Sequence, residues 1–331
     1  MGIRGLNKYF KHLASSRSIR QVNITEFKGK TLVVDTSIYM YKFLEDGDGL
    51  LNNMFAFITQ CIEFNITLLF VFDGKPNLLK KEMLLSRSRR KITASNKYLE
   101  LEEEYDKNVN NMSDREKTSM KLKMGEYKKR SLRITMDDIQ KVKLLMDSLN
   151  VFYCDAPEEA DVVCSHYVEK GYAWACISDD MDMFAYGCPR VIREWNVYKL
   201  NATLYDLQEI TVDINIPMQY LRSVLLLLGN DYCKESIHLD TAIKWFREYY
   251  SSIEDHKNTF YDWLLHKKHV TSLRITELLE ISILYEMPKN TVLEKYIRNN
   301  NNNNNNNNSN CSKIRWNQLK SLLEPRGFVF I

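Results

Sequence analysis

The chain has 331 residues, 44% hydrophobic and 27% charged, which excludes a wholly disordered polymer and leaves room for one large domain or two small ones. Its formal charge is only +3, so affinity for a polyanion has to come from local patches rather than from an overall field. Seven singly placed cysteines without a CxxC pair, no signal-peptide core in MGIRGLNKYF and no apolar run of about 18 residues point to a soluble, intracellular protein without disulfides or membrane contact.

Along the chain, short apolar runs alternate with longer amphipathic stretches. The runs are TLVV before Asp35, ITLLFVF before Asp73, VFY near 152, AWACI before Ser178 and VI near 191. This rhythm predicts an α/β fold with a central, mostly parallel sheet flanked by helices. Several runs end in an acid, which places carboxylates at strand C-termini, where open sheets have their ligand crevice. Residues 1–75 and 139–235 therefore form the core. Between them, 76–138 reads as a helical insertion rich in Lys, Arg, Glu and Ser, broken near NVNNMSD. AIKWFREYY and ELLEISILYE make 236–298 a helical annex. The unbroken tract Asn299 to Asn308 makes 299–310 a disordered spacer. The tail, 311–331, has weak helical periodicity; docking on the body is expected, with partner binding as the alternative.

The chemistry lies in the acids. Asp35 or Asp73 alone would be read as a helix cap or turn residue. In PEEAD, Pro157 suits a first helical turn, and Glu159 and Asp161 could simply complement the helix dipole. SDDMD is harder to explain that way, because Asp179, Asp180 and Asp182 repel one another unless a cation or hydrogen-bond donors neutralise them. Hard divalent ions take oxygen ligands, and two ions together hydrolyse phosphodiesters, so cleavage of nucleic acid is the leading reaction class.

The motifs MGIRGL, VVDTSIYMYKF, VFDGKP, CDAPEEADVV, SDDMDMFAYG and LLGNDYC occur in the order found in flap endonucleases and their XPG-type relatives. The resemblance spans roughly residues 1 to 235 and implies a PIN-like nuclease core with a helical arch insertion. It implies that seven acids bind two Mg2+ ions, with Mn2+ able to substitute: Asp35, Asp73, Glu159, Asp161, Asp180, Asp182 and Asp231. Asp161 departs from the family, where most members have Glu; the shorter arm is expected to alter the rate rather than abolish it.

The stretch Lys75 to Lys91 carries seven basic residues and one acid. Lys80 and Arg87, two helical turns apart, could meet one phosphate, and they match the family's gateway Lys and Arg that steer the scissile phosphate. Arg89, Arg90 and Lys91 are expected to touch the 5′ strand, with generic surface charge as the alternative. By resemblance Tyr41 stacks on a base near the cut, where the alternative is a core aromatic. Gly2 and Arg4 are placed near the active site by resemblance alone, with Arg4 a candidate substrate contact.

No histidine sits in a zinc pattern such as HExxH, and no GxxxxGK[ST] loop occurs. After LLGNDYC the chain reads KESIHLDTAIKWF, without the glycine-rich turn with which relatives grip duplex DNA, often with a potassium ion. Gln318 is followed by LKSLLEP rather than by a sliding-clamp motif. The expectation is a monomeric, structure-specific DNA nuclease acting on 5′ flaps or single-strand/double-strand junctions, with possible 5′ to 3′ exonuclease activity. The resemblance implies work in replication, repair or recombination and a nuclear setting. The alternatives are a junction-resolving or excision-repair nuclease, an RNA-cleaving nuclease and, last, a non-catalytic DNA-binding scaffold.

Overall fold

The computed structural model describes residues 3, 5–45, 49–232, 236–252, 259–285 and 314–328. Gly2 and Arg4, the asparagine tract and the first residues after Tyr232, Cys233 to Glu235, lie outside the described residues.

The chain begins with α1 (Leu6–Leu13) and β1 (Ile19–Asn23), then enters the centre of the sheet at β2 (Thr31–Asp35). Two helices follow, α2 (Thr36–Glu45) and α3 (Leu50–Glu63), before β3 (Thr67–Phe72). The insertion forms α4 (Lys81–Asn108) and α5 (Asp114–Ser131). The chain returns to the body with α6 (Met136–Leu149), β4 (Phe152–Asp155), α7 (Ala160–Glu169) and β5 (Ala175–Ile177). β6 (Arg190–Asn196) and β7 (Asn201–Asp206) complete the seven-stranded sheet seen among the described residues. Helices α8 (Leu207–Asp213), α9 (Met218–Leu227), α10 (Leu239–Ser251), α11 (Phe260–His266) and α12 (Ser272–Tyr285) make the annex, and α13 (Trp316–Leu323) lies in the tail.

The strand order is β1-β7-β6-β5-β2-β3-β4. β2, β3, β4, β5 and β6 pair in parallel, whereas β7 runs antiparallel to β6 and to β1. The parallel strands are the five apolar runs visible in the sequence. They read as continuous because both faces are covered: Leu32, Val34, Phe70 and Ile177 belong to the core beneath α2, α3 and α6, while Val33, Val71 and Cys176 face α7 and the annex. The two antiparallel strands are not apparent as strands in the sequence. β1 reads IRQVN with Val22 its only fully buried residue, so apolar content could not mark it.

From β2 the chain steps one way across the sheet to β3 and β4, then returns through α7 to β5 on the other flank of β2. The strand order thus reverses beside Asp35, and ligands in open sheets bind in the crevice outside strand C-termini at such a switch point.

The insertion stands off the body as a helical hairpin. α4 has 28 residues and only Ala94 buried, and α5 has no buried residue. The two helices pack chiefly on each other, with Lys97 over the Tyr127 ring and Lys121 over Tyr105, both at 5.6 Å. A capping box of Ser113 and Glu116 restarts the chain after the NVNNMSD break. A second box, Thr135 with Asp138, starts α6, whose Val142, Leu145 and Met146 enter the core. The hairpin therefore ends near Ser131, a few residues before the boundary at 138 expected from the sequence. In the tail, Leu319 and Leu323 are buried, α13 packs on α6, and Phe328 meets Phe55 edge-on at 4.8 Å.

Candidate active site

Asp35 closes β2, and Asp73 follows the last residue of β3. Gly74 comes next because nothing larger fits: a Cβ there would lie 2.0 Å from the Ala156 carbonyl oxygen. This close passage lets the Gly74 amide donate to the Glu158 carbonyl at 2.6 Å and brings Asp73 Oδ1 to the amide of Ala160 at 2.9 Å. Asp73 thus accepts at the N-terminus of α7 and ties β3 to the helix bearing Asp161. Pro157 does not occupy the first helical turn as its sequence context suggests; α7 starts at Ala160, with Glu159 as its N-cap residue. The tight crossing over Gly74 delays the helix.

Asp180 lies in the loop beyond β5, and Asp182 opens a short 3-10 helix. Ser178 organises this loop. Its hydroxyl donates to Asp35 Oδ2 at 3.0 Å and accepts from the Asp180 amide at 3.2 Å, while the Asp182 amide donates to Asp180 Oδ1 at 3.1 Å. Asp231, beyond α9, faces the same crevice through Lys80 and Arg87.

The electrostatics show how closely these acids gather. Burial first, then the charges of Asp73 and Asp180, push the Asp35 carboxyl up to about 8. Burial, Asp180 and Asp231 do the same to Asp182, also up to about 8. Asp161 is raised by loss of solvent and by Asp35, Asp180 and Asp73. Without a cation the folded protein therefore holds protons on Asp35 and Asp182 that the unfolded chain, with its ordinary value of 3.8, releases. The sign follows: their contribution to metal-free stability falls as pH rises from about 4 through about 8.

Two of the seven acids already have cationic partners. Lys80 Nζ lies 2.8 Å from Glu159 Oε2 and 3.7 Å from Asp231 Oδ2. Burial alone would lower the Lys80 ammonium, yet Glu159 and Tyr232 hold it above its ordinary value. Arg87 Nη2 donates to both oxygens of Asp231 at 2.8 Å. Lys80 ends a 3-10 turn just before α4 rather than lying two turns from Arg87 on one helix, yet both side chains reach the Asp231 carboxylate. Among the described residues, no group of three or more His, Cys, Asp or Glu side chains is arranged to close on one ion as it stands. The donor set still suits a hard divalent cation: every candidate is a carboxylate, and the buried Asp182 Oδ1 has no hydrogen-bond partner among the described residues.

Above the acids, a cavity of about 1130 Å³ lies between the hairpin and the body. Arg89, Arg90 and Lys91 line it with Arg87, Lys129, Arg130 and Arg133, and Asp73 is also part of its lining. Tyr41 also lines it and is half-buried, whereas Tyr39 and Phe43 of the same helix are core residues. Lys91 Nζ caps Tyr41, 2.9 Å from its hydroxyl and 4.2 Å from the ring centroid. Gly2 and Arg4 are outside the described residues, but the intervening Ile3 is buried and its backbone donates to Asp182.

Sequence reasoning did not single out Ser178, Tyr186, Tyr232 or Tyr285. Tyr186 and Tyr232 both donate to Glu159 Oε2, at 3.1 and 2.8 Å. Ser178, Tyr186 and Tyr232 lie inside motifs that carry the acids, where an eye for titratable groups passes over hydroxyls. Tyr285 has no local signal, because only the folding of the annex brings it near.

Comparison with known proteins agrees with this architecture. The XPG N-terminal domain model matches residues 1–94 and the XPG I-region model residues 150–231. The chain is 30% identical to flap endonuclease 1 of Xenopus tropicalis over 274 residues, covering 77% of this chain and 68% of that protein. Against flap endonuclease 1-A of Xenopus laevis it is 30% identical over 251 residues, covering 71% of this chain but 62% of the relative's length. In fold it is similar to the catalytic core of Rad2 solved with a DNA substrate, with a TM-score of 0.62 and 18% identity over 99% of this chain and 96% of that one. The Holliday junction-resolving enzyme GEN1, solved with product DNA and Mg2+, gives a TM-score of 0.62 and 15% identity over 98% and 73% of the two chains.

Proposed function

The chain belongs to the XPG-type flap endonuclease family, and from that premise we propose that it hydrolyses DNA phosphodiesters at or near 5′ flaps, using two Mg2+ ions for which Mn2+ can substitute. The observation that carries this reading is one juxtaposition: a cavity rich in Lys and Arg under a helical hairpin shares Asp73, and through Arg87 reaches Asp231, with the acids gathered at the switch point of a parallel sheet. A basic cavity with the Tyr41 ring in its lining suits a single strand, whose unpaired bases can stack on an aromatic. Rad2 and GEN1 have both been solved with DNA, and GEN1 with Mg2+ as well, which supports DNA as substrate and magnesium as cofactor.

In this reading Asp35, Asp73, Glu159, Asp161, Asp180, Asp182 and Asp231 hold the ions. When bound, the ions supply an activated water and neutralise charge on the reacting phosphate. Lys80 and Arg87 exchange their carboxylate partners for the scissile phosphate and offset its negative charge. Tyr41 offers its ring to the base beside the cut once Lys91 moves off it, and Arg89, Arg90 and Lys91 then track the phosphates of the 5′ strand. Gly2 and Arg4 are assigned to substrate contact by resemblance to the family alone. The protein acts as a monomer on flap or junction DNA, at a site of DNA replication or repair such as the nucleus.

A panel of 5′-flap, nicked, blunt and four-way DNA and single-stranded RNA, each with Mg2+, tests substrate choice. The flap is expected to be cut near its junction at least about tenfold faster than the others, equivalent to about 1.4 kcal/mol of transition-state selectivity. Preferential cutting of the four-way DNA would make this a junction-resolving enzyme, and preferential cutting of the RNA would overturn DNA as the substrate.

A further inference from the structure

Three tyrosines from separate parts of the chain form one wall of the acidic site. Tyr186 follows the 3-10 helix of Asp182, Tyr232 follows Asp231, and Tyr285 ends α12 of the annex. Tyr285 packs against both of the others, with ring centroids 4.6 Å from Tyr186 and 5.7 Å from Tyr232. Tyr186 and Tyr285 are only 3% and 1% exposed, so their hydroxyls have no water to fall back on.

The hydroxyls are not spent on one another alone. Glu159 Oε2 receives Lys80 Nζ at 2.8 Å, Tyr232 at 2.8 Å and Tyr186 at 3.1 Å. A carboxylate oxygen has two lone pairs, so three donors more than saturate it. Oε2 is thus committed to the protein, and Oε1 remains to serve a cation. Of the three donors, Lys80 is the one expected to leave for the phosphate, after which the two phenols hold Glu159 without a break. Tyr285 differs: among the described residues its buried hydroxyl has no hydrogen-bond partner. Its ring packs on the two tyrosines that hold Glu159, and after burial itself the charges acting on it include Asp182, Asp231 and Asp161, so it lies beside the acidic cluster. A buried donor left unmatched is destabilising, and the penalty is relieved when an acceptor arrives.

We propose that Tyr186, Tyr232 and Tyr285 are positioning residues for the cation site: the first two fix Glu159 so that it ligates through one oxygen, and the third donates to the oxygen shell that assembles around a bound ion. The inference rests on the proposed metal-binding reading and adds to it a coupling between the annex and the site, because Tyr285 reaches the acids only when α12 is docked.

The test uses the full chain without DNA and Mn2+ as the probe, titrated by calorimetry. Phe keeps each ring and removes only the hydroxyl. Loss of an outer partner of a metal ligand typically weakens binding 10- to 100-fold, and Y186F/Y232F is expected to fall in that range. Y285F is expected to weaken Mn2+ binding too, and to remove a tyrosine near-UV difference signal that accompanies Mn2+ binding in the wild type. In a Glu159→Ala background, Y186F/Y232F should have no further effect, since the pair acts through Glu159. Wild-type affinity in both Y186F/Y232F and Y285F would overturn the proposal, as would an undiminished loss in the Glu159→Ala background. If instead D35N bound Mn2+ as the wild type does, the metal-binding reading itself would fail, independently of the tyrosines.

Discussion

Asp180→Asn is expected to abolish cleavage and, at the same time, to raise the melting temperature of the metal-free protein. Asp180 is the acid common to the cluster: its charge raises Asp35, Asp161 and Asp182 alike. Asn keeps the shape, and its side-chain oxygen can still accept from the Asp182 amide, as Asp180 Oδ1 does at 3.1 Å. What disappears is one negative charge among partly desolvated acids. Losing an outer-sphere partner costs up to about 100-fold in activity, so losing a ligand should cost more than that. Removing a repulsion worth about 1 kcal/mol would raise the melting temperature by roughly 2–4 °C in a domain of this class. Such opposed effects mark a site that keeps strain for function. Single-turnover cleavage of a 5′ flap and a thermal scan in EDTA measure the two quantities. Retained cleavage would sink the assignment of Asp180, and a lowered melting temperature would show that the acids are not in conflict.

Lys80→Met with Arg87→Ala separates a gateway role from mere charge balance. In the structure both side chains are counter-ions, Lys80 to Glu159 and Arg87 to Asp231. If that were all, the variant would lose stability and saturating Mg2+ would restore activity along with it. The Lys80 and Glu159 side chains are 12% and 11% exposed, so loss of the charged hydrogen bond should cost about 2 kcal/mol in the metal-free state. The gateway reading requires more: turnover at saturating flap DNA and saturating Mg2+ should stay about 10²- to 10³-fold low, the usual cost of removing donors that act on transition-state charge. Mg2+ should restore the melting temperature without restoring turnover. Recovery of both would reduce Lys80 and Arg87 to structural counter-ions.

Much of the sheet was legible because its parallel strands are buried on both faces and so read as apolar runs ending in acids. β1 was not, because an edge strand with one fully buried residue has no pattern beyond its neighbours' hydrogen bonds. The acids were legible as three local groups, yet residues two apart diverge on a helix and converge on a strand, so their meeting depended on motif order and then on topology. The delayed start of α7 could not be read from PEEAD, since it follows from the passage of Gly74 under Ala156, 82 positions along the chain. Long-range partners were the hardest. Lys80 could be assigned to a phosphate by resemblance, but its seat on Glu159 and Asp231 is a tertiary fact. Tyr285 shows the same limit, being a helix-end aromatic in sequence terms and, among the described residues, a buried donor without a partner beside the acids in space.

The central claim is that these acids form a site for divalent cations, and calorimetric titration of the wild type with Mn2+ at pH 7, in two buffers of different ionisation enthalpy, tests it most directly. Asp35 and Asp182, pushed up to about 8, are mostly protonated at that pH and must ionise to bind. Two Mn2+ ions per chain should bind with net release of protons, the apparent affinity should rise from pH 6 to 8, and D180N should lose the heat. No binding, or binding without proton release that D180N leaves intact, would contradict the account.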